Sequence, residues 1–263
     1  MVNYLSIFCC VVLSFLASPA AGQDTLTVMS YNIYHGEHFY KSGESNLEEI
    51  ASVINRVSPD LVSLQEVDSL TGRSADLNDG VPVNQVKKLA EQTGMYGYFG
   101  KAMDFDGGGY GEGLLANTSL NVEKVALPIP KGGEPRTLIV AEYPIDKQQY
   151  IRFGGTHLCH QYQKNRVAQI EKINSYFSNG DSPAIIAGDF NFTPEQKPYH
   201  ITVKKWVDAA KLAGNIKRTI PYDNPSSRID YFFLSEQNWK IIEMKVLREN
   251  NSDHMPLVLK VVI

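Results

Sequence analysis

The chain has 263 residues, of which 43% are hydrophobic and 21% charged, and this balance excludes an intrinsically disordered chain. Its length suits one αβ domain with a large core, and it contains no internal repeat, low-complexity tract or Gly/Ser/Pro linker. A formal net charge of −4 argues against an extended, sequence-independent grip on a polyanion, which needs a basic surface, although a bound metal ion would add positive charge that the count omits.

The first stretch differs from the rest. Residues 5–17 are almost wholly apolar, and no Lys, Arg, Asp or Glu precedes Asp24. The run ends in Ser18-Pro19-Ala20-Ala21-Gly22, small residues of the kind a signal peptidase accepts, and it is short for a membrane span. We therefore read residues 1–22 as a cleaved export signal and residues 23–263 as one domain, delivered to the periplasm or secreted. Neither Cys9 nor Cys10 has the neighbours of a lipoprotein anchor, and the exported part keeps only Cys159. It has no internal disulfide, and Cys159 reads as a packed residue rather than a nucleophile.

Strand-like and helix-like segments then alternate. Residues 26–33 read as a strand and 46–57 as a helix with Leu47, Ile50, Ala51, Ile54 and Val57 on one stripe, opened by a Ser45/Glu48 capping box and closed at Ser58-Pro59. Residues 60–67 read as a buried strand, and 84–93 as a second helix ending at Gly94. Residues 96–153 are rich in strands and turns. A third amphipathic helix over 166–177 carries Val167, Ile170, Ile173 and Phe177 on its apolar stripe. Residues 183–190 read as a buried strand and 194–211 as one irregular helix, before final strands over 228–234, 239–247 and 256–263. Two antiparallel-rich sheets packed face to face, with helices outside, would bury all these stripes.

Five polar clusters fall at or just after the ends of predicted strands: Tyr31-Asn32-Ile33, Gln65-Glu66-Val67, Thr156-His157-Leu158, Gly188-Asp189-Phe190-Asn191 and Ser252-Asp253-His254. Arg228-Ile229-Asp230-Tyr231 adds a carboxylate where a strand begins. Acidic and amide groups interrupting apolar strands are costly unless paired or bound to metal. Oxygen donors of this kind suit magnesium, manganese or calcium.

In order and spacing these clusters resemble the endonuclease/exonuclease/phosphatase superfamily across the whole chain after the signal. The resemblance implies an α/β (α+β) fold, a four-layer α/β/β/α sandwich of two mixed, largely antiparallel sheets flanked by helices. It also implies a divalent-metal-dependent phosphodiesterase. In that reading Glu66 is the principal metal ligand, with Asn32 and Asp253 beside it, and Mg2+ is the expected ion, with Mn2+ or Ca2+ as alternatives. Asp189 orients or deprotonates the attacking water, Asn191 steadies phosphoryl oxygens, and His254 contacts the phosphate with its ring held by Asp230. His157 matches a second histidine, and Glu112, within Tyr110-Gly111-Glu112-Gly113, resembles the deoxyribonuclease-branch glutamate that supports it. Arg73 and Arg136 resemble arginines of the exported bacterial branch, and Arg73 is expected to grip substrate phosphate bidentately from a loop.

Other residues read more plainly. His35, His38, His160 and His200 read as loop residues, Gly107-Gly108-Gly109 as a flexible loop, and Arg166 and Gln169 as ties between helix and sheet. The expected partner is a phosphodiester substrate: a small molecule, nucleic acid or lipid head group. The acidic balance lowers the odds on long nucleic acid, and no aromatic hairpin announces a membrane wedge. An inositol-type phosphomonoesterase is disfavoured, because that branch carries Cys-Asp-Arg where this chain has Arg228-Ile229-Asp230-Tyr231. No stable protein partner is implied, and a monomer is expected. A catalytically inactive relative serving as a binding module is the competing class, and the presence of Glu66, Asp189 and His254 argues against it.

Overall fold

The apolar residues of the central strands sort into three groups, and these groups define the layers. The computed structural model describes residues 25–146, 149–178, 180, 182–235 and 239–262, so the export signal read over residues 1–22 lies outside the described residues. One sheet runs in the order β11 (Lys240–Val246), β12 (Leu257–Val262), β1 (Thr25–Asn32), β2 (Leu61–Ser69), β4 (Gly108–Ala116), β3 (Tyr96–Phe105). The other runs β5 (Val122–Leu127), β6 (Arg136–Pro144), β7 (Tyr150–His157), β8 (Ala184–Asp189), β10 (Asp230–Ser235), β9 (Trp206–Asp208). Each sheet is antiparallel except for one parallel pair at its centre, β1 with β2 and β7 with β8.

Alternate residues of the two sheets meet in the middle layer, where Val28, Leu61, Leu114 and Leu259 of the first pack with Ile139, Phe153, Ile185 and Phe232 of the second. On the outer face of the first sheet, Ile50 and Ile54 of α1 (Leu47–Val57) and Val86 and Leu89 of α3 (Gln85–Thr93) cover Met29, Val62 and Leu115. On the outer face of the second, Ile170, Ile173 and Phe177 of α4 (Gln163–Phe177) cover Leu138, Ile186 and Phe233. This is the predicted four-layer sandwich. No helix among the described residues is long and apolar enough to cross a membrane.

Local chemistry sets several element ends as expected. Asn84 caps α3 by accepting from the Lys87 amide, and left-handed Gly94 ends it. Other boundaries differ. The Ser45/Glu48 capping box does not form, because Asn46 is the N-cap and its side chain turns away from the helix. The Asn46 amide donates instead to the carbonyls of Ile33, Glu37 and Asn251, tying the loop after β1 to the loop before β12. Gly107-Gly108-Gly109 is no flexible loop: Asp106 and Gly107 form a tight left-handed turn, and the other two glycines enter β4. The segment expected as one irregular helix divides into α5 (Lys197–Thr202), the edge strand β9 and α6 (Ala209–Leu212). A short helix not foreseen, α2 (Gly72–Asp76), follows β2. Val167 is only partly buried, and Asn165, Arg166, Gln169 and Asn174 occupy the rest of the buried face of α4.

Candidate active site

The central strands of both sheets end on the same side of the sandwich, and their last residues carry the polar clusters. In the second sheet, His157 of β7 pairs in register with Asp189 of β8, which pairs in turn with Asp230 of β10. Three ionisable side chains thus lie in a row across neighbouring strands. Close approach of β7 and β8 depends on Gly188, where an added Cβ would lie 1.9 Å from the Thr156 carbonyl oxygen. In the first sheet a register shift between Leu64 and Val67 bulges β2, leaving Glu66 out of the ladder and in a left-handed conformation.

Glu66, Arg73, Arg136, His157, Asp189, Asn191 and His254 line one cleft of about 410 Å³, together with Tyr34, His35, Phe105, Tyr110, Glu134 and His160. Tyr34, His35, Glu66 and Asn191 all have φ between 47° and 58°, a region that side chains other than glycine seldom adopt. Backbone strain gathered on one cleft wall is a mark of a working site.

Asp189 is the hub. Its Oδ1 accepts from the Asn191 amide at 2.9 Å, and its Oδ2 accepts from Asn32 Nδ2 at 3.3 Å. The same Oδ2 lies 3.4 Å from His157 Nε2 and 3.7 Å from His254 Nε2. Burial, with Asp230 adding to it against the pull of His254, pushes the Asp189 carboxyl up to about 7. His254 Nδ1 sits 3.0 Å from both oxygens of Asp230, which also accepts from the Thr219 hydroxyl at 2.5 Å. Burial opposes charge on His254, but Asp230 and then Asp189 outweigh it and raise its pKa to about 10. Asp230 therefore holds the His254 ring as expected, while Arg228 pairs bidentately with Asp208 and not with its neighbour Asp230.

His157 is different. Burial and then the Arg136 charge hold its pKa well below the ordinary value, so the ring is neutral. Asn191 Nδ2 donates to His157 Nε2 at 2.9 Å and to the Leu158 carbonyl at 3.0 Å, so both donors of this amide are used inside the protein. Asn191 therefore holds His157, rather than offering a donor to phosphoryl oxygens as the resemblance implied. The expected Glu112–His157 pair is not closed either. Glu112 Oε2 and His157 Nδ1 are both buried without a hydrogen-bond partner, and burial raises Glu112 well above the carboxylate range.

Burial works against the charge on Glu66, yet hydrogen bonds from His35 and Asn32, with the charge on His254, hold its carboxyl well below the usual range. Asn32 Nδ2 donates to Glu66 Oε1 at 3.0 Å while its Oδ1 accepts from the Tyr34 amide, so the amide nitrogen, not the oxygen, faces Glu66. His35 Nδ1 stands 3.8 Å from Glu66 Oε2, and its Nε2 lies 3.1 Å from Glu37. Reading His35 and His160 as plain loop residues is thus corrected: both line the cleft. For His35 the available signal was its place three residues after Asn32, in the turn that follows the same strand.

Arg73 sits on α2 and not on a loop. Its guanidinium grips Asp68 through Nε at 2.8 Å and Nη2 at 2.9 Å, and stacks over Phe105. Asp68 is fully buried, so charge reversal at Arg73 would strand a buried carboxylate and damage folding, contrary to a purely substrate-binding role. Arg166 and Gln169 tie α4 to the chain after β7, through the carbonyls of Cys159 and His160 and the Cys159 amide. Cys159 is buried and free.

Two groups of side chains have ligand chemistry. Asp189, Asp230 and His254 bring ligand atoms within 4.8 Å of one another, but the His254 nitrogen facing Asp230 carries a proton that a metal would have to displace. Glu66 and Asp253, with the Asn32 amide beside them, offer oxygen donors and no such proton. Asp253 is pushed above the ordinary carboxyl range by burial and by Glu66, a repulsion that a divalent cation would relieve.

The endonuclease/exonuclease/phosphatase family profile matches residues 29–254, and the chain belongs to that family. Its members act as nucleases or phosphatases and depend on divalent metal. A comparison with curated proteins finds no match. Among solved structures, an endonuclease/exonuclease/phosphatase from Beutenbergia cavernae is similar at 19% identity, with a TM-score of 0.71 over 91% of this chain and 72% of that one. A mannosyl-6-phosphatase from Bacteroides thetaiotaomicron is similar at 20% identity and a TM-score of 0.69, over 90% of this chain and all (100%) of the other. The human Nocturnin catalytic domain, solved with a bound sulfate anion, is 18% identical with a TM-score of 0.70, over 90% and 94% of the two chains.

Proposed function

We propose that this chain is an exported, Mg2+-dependent hydrolase that attacks phosphorus with water, with a small phosphodiester as its substrate. The observation that carries this reading is Asp189 standing between a charged and a neutral histidine, 3.7 Å from His254 and 3.4 Å from His157, on the wall of the cleft. A carboxyl pushed up to about 7 has the proton affinity needed to accept a proton from water near neutral pH. His254, kept cationic by Asp230, offers its Nε2 proton to the phosphoryl oxygens or the leaving alkoxide. Neutral His157, held by Asn191, closes the other side of Asp189. Glu66 and Asp253 would hold the metal ion, with Asn32 orienting Glu66. When bound, the ion supplies charge neutralisation for the phosphoryl oxygens. The sulfate anion bound by the Nocturnin domain and the phosphatase named for the Bacteroides structure support chemistry on a tetrahedral anion. The apolar run before Asp24 supports export.

The test is hydrolysis of bis-p-nitrophenyl phosphate by residues 23–263 with Mg2+, Mn2+, Ca2+ or EDTA, alongside Asp189→Asn. Metal-dependent turnover that falls at least about a thousandfold in the variant is expected. Turnover that survives Asp189→Asn would remove the assigned base. A folded protein inert toward this ester and toward DNA, RNA, sphingomyelin and small diesters would favour a binding module.

A further inference from the structure

Three arginines of the second sheet and the cleft are buried or partly buried beside carboxylates, and they are not partnered alike. Arg228 takes Asp208 through two parallel bonds of 3.1 and 2.7 Å, and Arg73 takes Asp68 through two of 2.8 and 2.9 Å. Arg136, at the start of β6 and only 3% exposed, has a single carboxylate contact, Nη2 to Glu134 Oε2 at 2.8 Å. Its Nε and Nη1 are buried without a hydrogen-bond partner. The same Nη2 lies 3.3 Å from His160 Nδ1, which is 3.7 Å from the Glu134 carboxylate.

The two sides of this contact are built differently. His160 is anchored, because buried Arg166 on α4 binds its carbonyl oxygen at 2.9 Å. Glu134 has a side chain 42% exposed and follows Gly132 and Gly133, both left-handed. Asn165 binds the Lys131 amide and the Gly132 carbonyl, so the loop is pinned up to Gly132 and pivots on Gly133. A one-point ion pair at that exposure contributes little to stability. A buried guanidinium with two idle nitrogens, by contrast, has much to gain from an anion that meets more of its donors.

We propose that Glu134 is an internal stand-in for a second anionic group of the substrate. Arg136 and His160 form a subsite beside the reacting centre that selects phosphoesters bearing another phosphate or a carboxylate. Such a substrate displaces the Glu134 side chain by rotation at Gly133 and places its second anion against Nη2 of Arg136 and the ring of His160. This rests on the phosphoesterase reading and narrows it, since a simple diester has only the charge that the reacting centre consumes.

The test compares fructose 1,6-bisphosphate with fructose 6-phosphate on the full chain by calorimetric binding in EDTA, while hydrolysis of the phosphodiesters named above with Mg2+ is followed separately. The wild type binds the bisphosphate more tightly. Glu134→Gln removes the competing charge and should widen that preference by about tenfold. His160→Gln, an exposed change that leaves Arg136 in place, narrows it several-fold. Both variants stay folded, and His160→Gln keeps the melting temperature of the wild type. If both leave the ratio unchanged, or the bisphosphate does not bind, the subsite is refuted and Arg136–Glu134 is a structural pair. A binding preference in a protein that hydrolyses none of those phosphodiesters would keep the subsite and refute the hydrolase.

Discussion

His157 and His254 flank the same Asp189 oxygen at 3.4 and 3.7 Å and are almost equally buried, yet one ring is neutral and the other charged. Burial pushes both toward neutrality. The difference is their partners. Asp230 meets His254 Nδ1 at 3.0 Å, whereas the largest charge effect on His157 comes from Arg136, which opposes protonation, and its Nδ1 has no hydrogen-bond partner. One aspartate on β10 thus divides two similar positions into a cationic wall and a neutral wall, and gives Asp189 an unequal environment.

Removing that aspartate is the largest way to break the difference. Asp230→Asn should leave the ring positioned but release its charge, lowering turnover by about a thousandfold. The proton resonances of His254 would report its pKa falling from about 10 toward the ordinary histidine range. A variant with full activity would show that charge on His254 is not used.

The same substitution at each histidine sharpens the comparison. His254→Gln should match the loss in Asp230→Asn. His157→Gln keeps a neutral acceptor for Asn191 and should lower kcat only about tenfold. Equal losses would contradict the assigned division of labour.

Stability in EDTA gives a smaller, signed effect. The folded pKa of His254, about 10, lies above its ordinary 6.5, so its stabilising charge is complete below pH 6.5 and is lost as pH rises through about 10. Asp189, raised from 3.8 to about 7, adds a penalty that grows between those two pH values and is complete above about 7. Glu66 acts oppositely, with a depressed pKa whose contribution is lost on acidification below 4.5. The melting temperature should therefore fall by several degrees between pH 6.5 and 10, and Asp230→Asn should flatten that slope.

The sandwich and most of the site were legible because each depends on local pattern. Alternating apolar residues in the strands, the Gly94 signal at the end of α3, and polar residues interrupting buried strand ends all lie within a few positions. What escaped depends on distance in sequence. Asn46 reads as the first residue of a helix until its amide is seen binding the Asn251 carbonyl 205 residues away. Arg73 reads as a free cation until α2 and the end of β2 bring it onto Asp68. His35 reaches Glu66 only because the turn after β1 adopts left-handed backbone at two consecutive residues other than glycine, which no residue preference announces. The two-strand β9 pairing was hidden for the opposite reason, since three residues at a sheet edge carry too little pattern to be read.

Glu112 is where resemblance and geometry part, and its substitution is expected to have the smallest effect. A glutamate that fixes a histidine does so as an anion accepting from the ring, and here burial keeps Glu112 protonated while no hydrogen bond joins it to His157. Gln has nearly the shape and the neutrality of a protonated carboxyl, so Glu112→Gln removes no charge and leaves His157 neutral. We expect kcat/KM within about threefold of wild type, an effect below roughly 1 kcal/mol, and an unchanged pH profile. A larger loss with a shifted alkaline or acidic limb would mean that Glu112 ionises against His157 during turnover. The neutral wall would then become a second charged one, and the asymmetry around Asp189 would belong to the resting enzyme alone.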